Sequence, residues 1–228
     1  MRKLLLILAA ALFLLSFVPS KRISLSLSII HTYQGKIVKP GDTLFFHNGA
    51  PVKLNVLKYY ISDVSFSKKN GGKYADYNKT HLIDFSSDTT KIVFGGSGNA
   101  DVDTLAFYLG IDSSLSCSGV HDGDLDPVNG MYWTWQSGYI NLKLEGIHPL
   151  SPTRDHGFQF HLGGYRNPFS AIQRVALPVN EKHILLEVKL EHFLNAISVD
   201  SLHTVMSPGE NAVKLSKQAI SMFRAHDL

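Results

Sequence analysis

One cysteine in 228 residues, Cys117, leaves this chain without an intramolecular disulfide. Its stability must therefore come from a buried core or from a bound metal. Charge is also sparse: 18% of the residues are Asp, Glu, Lys or Arg, with 22 basic against 19 acidic side chains and no Lys/Arg run. So small and scattered a positive excess has no nucleic-acid footprint, and no nucleic acid is expected as a partner. The sequence contains no G-x-S-x-G, P-loop, H-E-x-x-H or paired-cysteine zinc spacing, which points away from an enzyme. No apolar run reaches membrane-spanning length. The longest, residues 4–18, is about fifteen residues against the roughly 20 that a bilayer requires. It is preceded by Arg2 and Lys3 and followed by Pro19 and Ser20, the pattern of a signal peptide over residues 1–20. An uncleaved anchor is the alternative, and no cysteine follows the run to carry a lipid. Export to the periplasm or the cell surface, or secretion, is the expectation. Loss of the leader would leave 20 basic against 19 acidic side chains.

What the chain does have is apolar and aromatic. Hydrophobic residues make up 44%, with 13 Phe, 9 Tyr and 18 Gly, which fits neither a disordered chain nor a coiled coil. Residues 24–33 alternate small polar with apolar side chains, and residues 43–47 follow a Pro40-Gly41-Asp42 turn. Residues 54–66 form the strongest β stretch; their alternation slips midway, which predicts a bulge or burial on both faces. Further strands are expected at 91–94, 104–109, 138–145, 157–162, 171–177 and 183–191. Ser207 as N-cap, Pro208 in the first turn and Glu210 three residues after the cap predict a helix over 208–223. Its face of Val213, Ile220 and Phe223 should dock on the sheet. The fold class is therefore all-β: an antiparallel β-sandwich with a short C-terminal helix, one domain over residues 21–228, and a monomer is expected.

Eleven histidines are about twice what ordinary composition supplies. Neutral imidazole suits copper or zinc. His31, His81, His148, His156, His183, His192, His203 and His226 read as scattered surface residues. Three others stand out. His47 ends one expected strand before Asn48-Gly49, and His161 ends another before Leu162-Gly163-Gly164. His121 lies in the long polar connection 112–129. Within that connection Asp122, Asp124 and Asp126 have calcium-loop composition without the EF-hand spacing or terminal Glu. Calcium is thus a weaker cofactor expectation, beside a capping role for the carboxylates.

Trp133 and Trp135, the only tryptophans, should face one side of a strand as an aromatic wall. Trp133, nearer Gly130, is the one expected to reach solvent.

The run Gly123-Asp124-Leu125-Asp126-Pro127, then Gly130-Met131-Tyr132-Trp133-Thr134-Trp135-Gln136-Ser137-Gly138-Tyr139, His161-Leu162-Gly163-Gly164 and Met206-Ser207-Pro208-Gly209 resembles the MbnP-like family. These are methanobactin-associated periplasmic proteins related to MopE and CorA. The resemblance implies an exported copper-binding β-sandwich used in copper acquisition, storage or delivery. It implies histidine ligands joined by a tryptophan oxidised to kynurenine, and partners in an MbnH-like dihaem peroxidase and an outer-membrane transporter. By position it carries His161 to the H-L-G element and Trp133 and Trp135 to the W-x-W element, as the residues that would be modified. His47 matches an upstream ligand strand, with His121 a further candidate. Phe45 stands where relatives place the tryptophan of a Trp-x-His pair. A metal-free interaction module is the competing expectation.

Overall fold

The computed structural model describes residues 22–228 apart from 47–48, 69–70, 76–78, 88, 98–100 and 136–137, with the side chains of 22–23, 74–75 and 94–97 left aside. The expected leader and His47 lie outside the described residues. The first strands are β1 (Arg22–Tyr33), β2 (Lys36–Ile37), β3 (Thr43–Phe45), β4 (Pro51–Lys68), β5 (Lys73–Ala75), β6 (Thr80–Asp84), β7 (Thr90–Ser97) and β8 (Val102–Leu109). Helix α1 (Ser113–Cys117) and two 3-10 turns, Gly123–Leu125 and Pro127–Asn129, lie in the long connection. Then follow β9 (Tyr132–Trp133), β10 (Gly138–Ile147), β11 (Gly157–Gly163), β12 (Gln173–Pro178), β13 (His183–Lys189), α2 (Leu190–Leu194), β14 (Thr204–Val205), α3 (Glu210–Ala219) and β15 (Phe223–Asp227).

The strands form two facing sheets. The smaller runs β15-β13-β1-β2, with β7 also on β1; the larger runs β12-β8-β4-β10-β11-β14, with β3, β5 and β6 on β4 and β9 on β10. The all-β expectation holds, and two pairings are parallel: β1 with β13, and β11 with β14. β1 shows why its sequence makes a strand. Leu25, Leu27 and Ile29 enter the core, while Ser24, Ser26 and Ser28 take the other face. One apolar core joins these residues, with Phe223 of the same sheet, to Leu57, Tyr59, Ile61, Phe107, Leu144 and Phe160 from across the sandwich. Each fully buried side chain of this size contributes about 1.5–3 kcal/mol.

β4 contains both features that its slipping alternation predicts. Its register against β10 shifts opposite Glu145/Gly146, and against β8 between Ser62 and Ser65, where Asp63 has φ +50°. Tyr59 and Ile61 then face the inter-sheet core while Tyr60 faces a second apolar cluster on the outside of the sheet.

The C-terminal helix is shorter than expected. It begins after Gly209, with no side-chain cap from Ser207, and ends at Ala219. Its buried face is Ala212, Leu215, Ser216 and Ala219 rather than Val213, Ile220 and Phe223. Phe223 instead opens β15, because the chain leaves the helix to pair with β13 from Val188 to Ile184.

No helix among the described residues is long and apolar enough to cross a membrane.

Candidate functional site

The polar connection 112–129 folds back over the outer face of the larger sheet. Two of its carboxylates serve as caps and a third ties it to the sheet, while Asp122 makes no side-chain cap. Asp112 accepts from Leu115 N–H at 2.9 Å, Asp126 from Val128 N–H at 2.8 Å, and Asp124 from Leu82 N–H of β6 at 3.0 Å. Tyrosines and lysines from the sheet hold the loop down. The Tyr60 hydroxyl donates to the Asp124 carbonyl at 3.1 Å and the Tyr139 hydroxyl to the Leu125 carbonyl at 3.0 Å. Lys58 donates to the Asn129 carbonyl and Lys143 to the Gly130 carbonyl, each at 3.3 Å. Beneath the loop Tyr60, Ile111, Leu125, Met131, Trp133, Tyr139 and Ile140 form the second apolar cluster. Burial pushes the Tyr60 and Tyr139 hydroxyls above their ordinary pKa, so both remain neutral donors.

His161 lies inside β11, not at its end, and only 6% of it is exposed. Gly163 carries the strand onward because a Cβ there would lie 2.6 Å from the Tyr139 carbonyl and 2.7 Å from the Trp133 ring. Trp133 thus rests on bare backbone, one residue pair along the same face from His161. Opposite His161 on β10 stands Lys143, and Glu145 reaches the ring, with Oε1 2.6 Å from Nε2. The hydrogen bond from His161 holds the Glu145 carboxyl below its ordinary pKa; burial opposes this and Lys143, 3.4 Å away, assists. An ionised carboxylate only accepts, so Nε2 carries the proton. In the neutral ring Nδ1 then bears a lone pair, and that atom is buried without a hydrogen-bond partner among the described residues. A carboxylate behind one nitrogen with the other left free is how metal-binding imidazoles are commonly oriented.

His121 has similar chemistry in a more open place. Its Nε2 lies 2.8 Å from Ser118 Oγ, whose own proton goes to the Leu115 carbonyl, so Nε2 is again the donor and Nδ1 the acceptor. The ring stacks on Tyr139 at 6.5 Å, and the His121 N–H donates to the Tyr139 hydroxyl. The structure therefore brings His121, Trp133 and His161 around one outer cluster centred on Tyr139 and Gly163. It does not assemble a cluster of three or more His, Cys, Asp or Glu side chains suited to a metal among the described residues. By donor chemistry His161 fits a copper ligand through its free Nδ1.

The tryptophans do not share one strand face. β9 ends at Trp133 and the chain turns through Thr134 and Trp135. Trp133 is 4% exposed and Trp135 61%, the reverse of the expected order, with ring centroids 5.7 Å apart. The Trp133 N–H has no acceptor among the described residues.

Two histidines expected on the surface are buried. His31 and His148 are 6% and 2% exposed. His148 accepts from the Leu150 N–H at 3.2 Å through Nδ1, so its neutral ring holds the unpartnered proton on Nε2 and offers no lone pair. Exposed His156 donates from Nδ1 to the Ser151 carbonyl at 3.1 Å, which leaves Nε2 as acceptor. Glu145 is the candidate-site side chain that sequence reasoning missed. The signal was its place across a strand pair from His161, which became readable only with the register.

No curated protein matches the chain significantly. MbnP from Methylosinus trichosporium superposes with a TM-score of 0.59 at 16% identity over 83% of each chain, a likeness of fold. The family model for MbnP matches residues 22–207, and this chain belongs to the MbnP family.

Proposed function

We propose that this chain is an exported copper-binding protein, with His161 as its anchoring ligand and His121 and His47 as the further candidates. The observation that carries the reading is the Glu145–His161 pair, which leaves a buried Nδ1 lone pair without a partner beside Trp133. Imidazole nitrogen suits both copper oxidation states, and the carboxylate behind the ring raises its basicity. The role is binding and delivery rather than catalysis. An MbnH-like dihaem peroxidase, an outer-membrane transporter and oxidation of Trp133 or Trp135 to kynurenine belong to the same proposal. Exposure favours Trp135 for first contact with a docked oxidant, while Trp133 is the tryptophan next to His161.

Copper titration of the mature protein is the test. The His161→Ala variant should bind at least about tenfold more weakly, since the remaining ligands cannot complete the coordination sphere. Melting of both proteins without metal checks that each is folded. Equal copper affinities in the two would overturn the assignment. The metal-free reading rests on Trp133, which packs as an ordinary core residue against Gly163. It predicts no change of melting temperature in a hundredfold excess of copper, where specific binding adds about 2.7 kcal/mol.

A further inference from the structure

Next to the His161 site, but opening to the outside, lies a cavity of about 310 Å³. Trp133, Tyr139, Tyr165 and Phe169 supply aromatic walls, and Arg166 and Asn167 supply the polar groups. The walls are fixed by backbone. The Phe169 N–H donates to the Arg166 carbonyl at 2.8 Å and the Ala171 N–H to the Gly164 carbonyl at 2.9 Å, closing 164–171 into a tight loop. Gly164 sits at φ +122°, and a Cβ there would lie 2.4 Å from the Phe169 carbonyl, so only glycine lets this loop close beside Pro208. Trp133 is buried behind the cavity, while Trp135 and Phe169, 61% and 40% exposed, stand at its surroundings and rim.

The polar lining has a definite sign. Arg166 lies over the Tyr165 ring, 5.2 Å from its centroid, and pairs with no carboxylate among the described residues. The described lining contains no Asp or Glu at all. Carboxylates, the usual acceptors for the hydroxyl protons of a neutral sugar, are absent from the described lining, whose one fixed charge is a cation. Aromatic walls with one unneutralised guanidinium suit a flat apolar body that ends in an anion. The volume is at the lower end of the range for ligand pockets, enough for one or two fused rings.

We infer that this cavity binds a small planar carboxylate, with the ring system between the aromatic walls and the carboxylate on Arg166. The cavity shares Trp133 with the copper reading but does not depend on it.

The test uses the mature protein freed of metal by a chelator, so the result is independent of copper. The probe is 2-naphthoate, followed by calorimetry, with the neutral 2-naphthamide and maltose as comparators. The acid should bind with a dissociation constant of about 1 mM or below, the range open to a ligand of this size. The amide should bind about three- to tenfold more weakly, the share expected of a partly solvated charge-assisted contact. Arg166→Gln should remove the difference between acid and amide. Phe169→Ala, which deletes a rim wall, should weaken both at least about threefold. Both side chains are exposed, so neither variant threatens the fold. Equal binding of acid and amide by the wild type, indifference to both substitutions, a preference for maltose, or no saturable binding would each overturn the inference.

Discussion

His31 and His161 are equally buried, each 6% exposed, yet they sit in opposite chemical settings. His31 projects from β1 into the space between the sheets. Its Nε2 is 3.1 Å from the Tyr59 hydroxyl, and the edges of Tyr59 and Phe85 flank the ring at centroid distances of 5.8 and 5.3 Å. Burial lowers its pKa to about 4, against a smaller upward pull from Asp84, so the ring is a neutral part of the core. His161 projects from β11 on the other side of the larger sheet, and its partner is a carboxylate. A phenol satisfies a neutral ring, whereas a carboxylate fixes the proton on one nitrogen and leaves the other with its lone pair. Equal burial thus gives these two histidines different chemistry, and the partner makes the difference.

The comparison breaks if the inter-sheet core around His31 proves energetically no different from the outer cluster. Phe223 is the strongest probe. It is fully buried and meets the edges of Tyr59 and Phe107 at 5.9 and 5.2 Å. Phe223→Ala should cost about 3–5 kcal/mol in denaturant unfolding and leave the intrinsic copper affinity of the folded fraction unchanged. A loss of copper affinity as large as that of His161→Ala would mean that the two regions form one site.

The next probe is acid. The folded-state pKa of His31, about 4, lies below its ordinary value of 6.5. Between these values the unfolded chain binds the proton and the folded chain does not, so stability rises with pH across this window. The contribution is full above pH 6.5 and fades as pH falls toward 4, with a ceiling of about 3 kcal/mol at 1.36 kcal/mol per unit. Glu145 acts lower on the scale, because its depressed pKa gives stability that is present above the ordinary carboxylate range and lost below it. His31→Gln, which cannot titrate, should therefore flatten the stability profile between pH 4 and 6.5 and leave copper binding at neutral pH intact. An unflattened profile would show that other groups carry the acid sensitivity.

Much of this architecture was legible where local pattern decides it. The Ser/Leu alternation of β1 and the slip in β4 each predicted what is found, and the W-x-W and H-L-G elements marked the family. What failed depended on distant partners. Phe223 has helix-compatible neighbours, and only its pairing with Val188 makes it a strand residue. His161 looked like a strand end because glycines follow it, but Gly163 is there to admit Trp133 and the strand continues. Trp133 and Trp135 lost their common face to a turn at Thr134 and Trp135, two residues that carry no turn signal of their own; the nearest, Ser137-Gly138, lies further on. His31 reads as a surface residue in the sequence because a histidine in an apolar alternation gives no sign that a tyrosine 28 positions later will meet it.

The smallest expected effect on stability sharpens the comparison most. Glu145→Gln keeps an acceptor for the Nε2 proton but removes the charge behind the ring. The pair is partly open to solvent, with the Glu145 side chain 23% exposed, so the change should lie within about 1 kcal/mol of wild type. Copper affinity should fall by about tenfold, because a ligating imidazole backed by an amide is less basic than one backed by a carboxylate. The same titration on His31→Gln should show no change, since the Tyr59 hydroxyl holds that ring's nitrogen. If Glu145→Gln binds copper as wild type does, the carboxylate only fills a hydrogen bond, and His161 belongs with His31 as a structural histidine. If it loses several kcal/mol of stability without metal, the pair supports the sheet and its link to copper has to be sought in another residue.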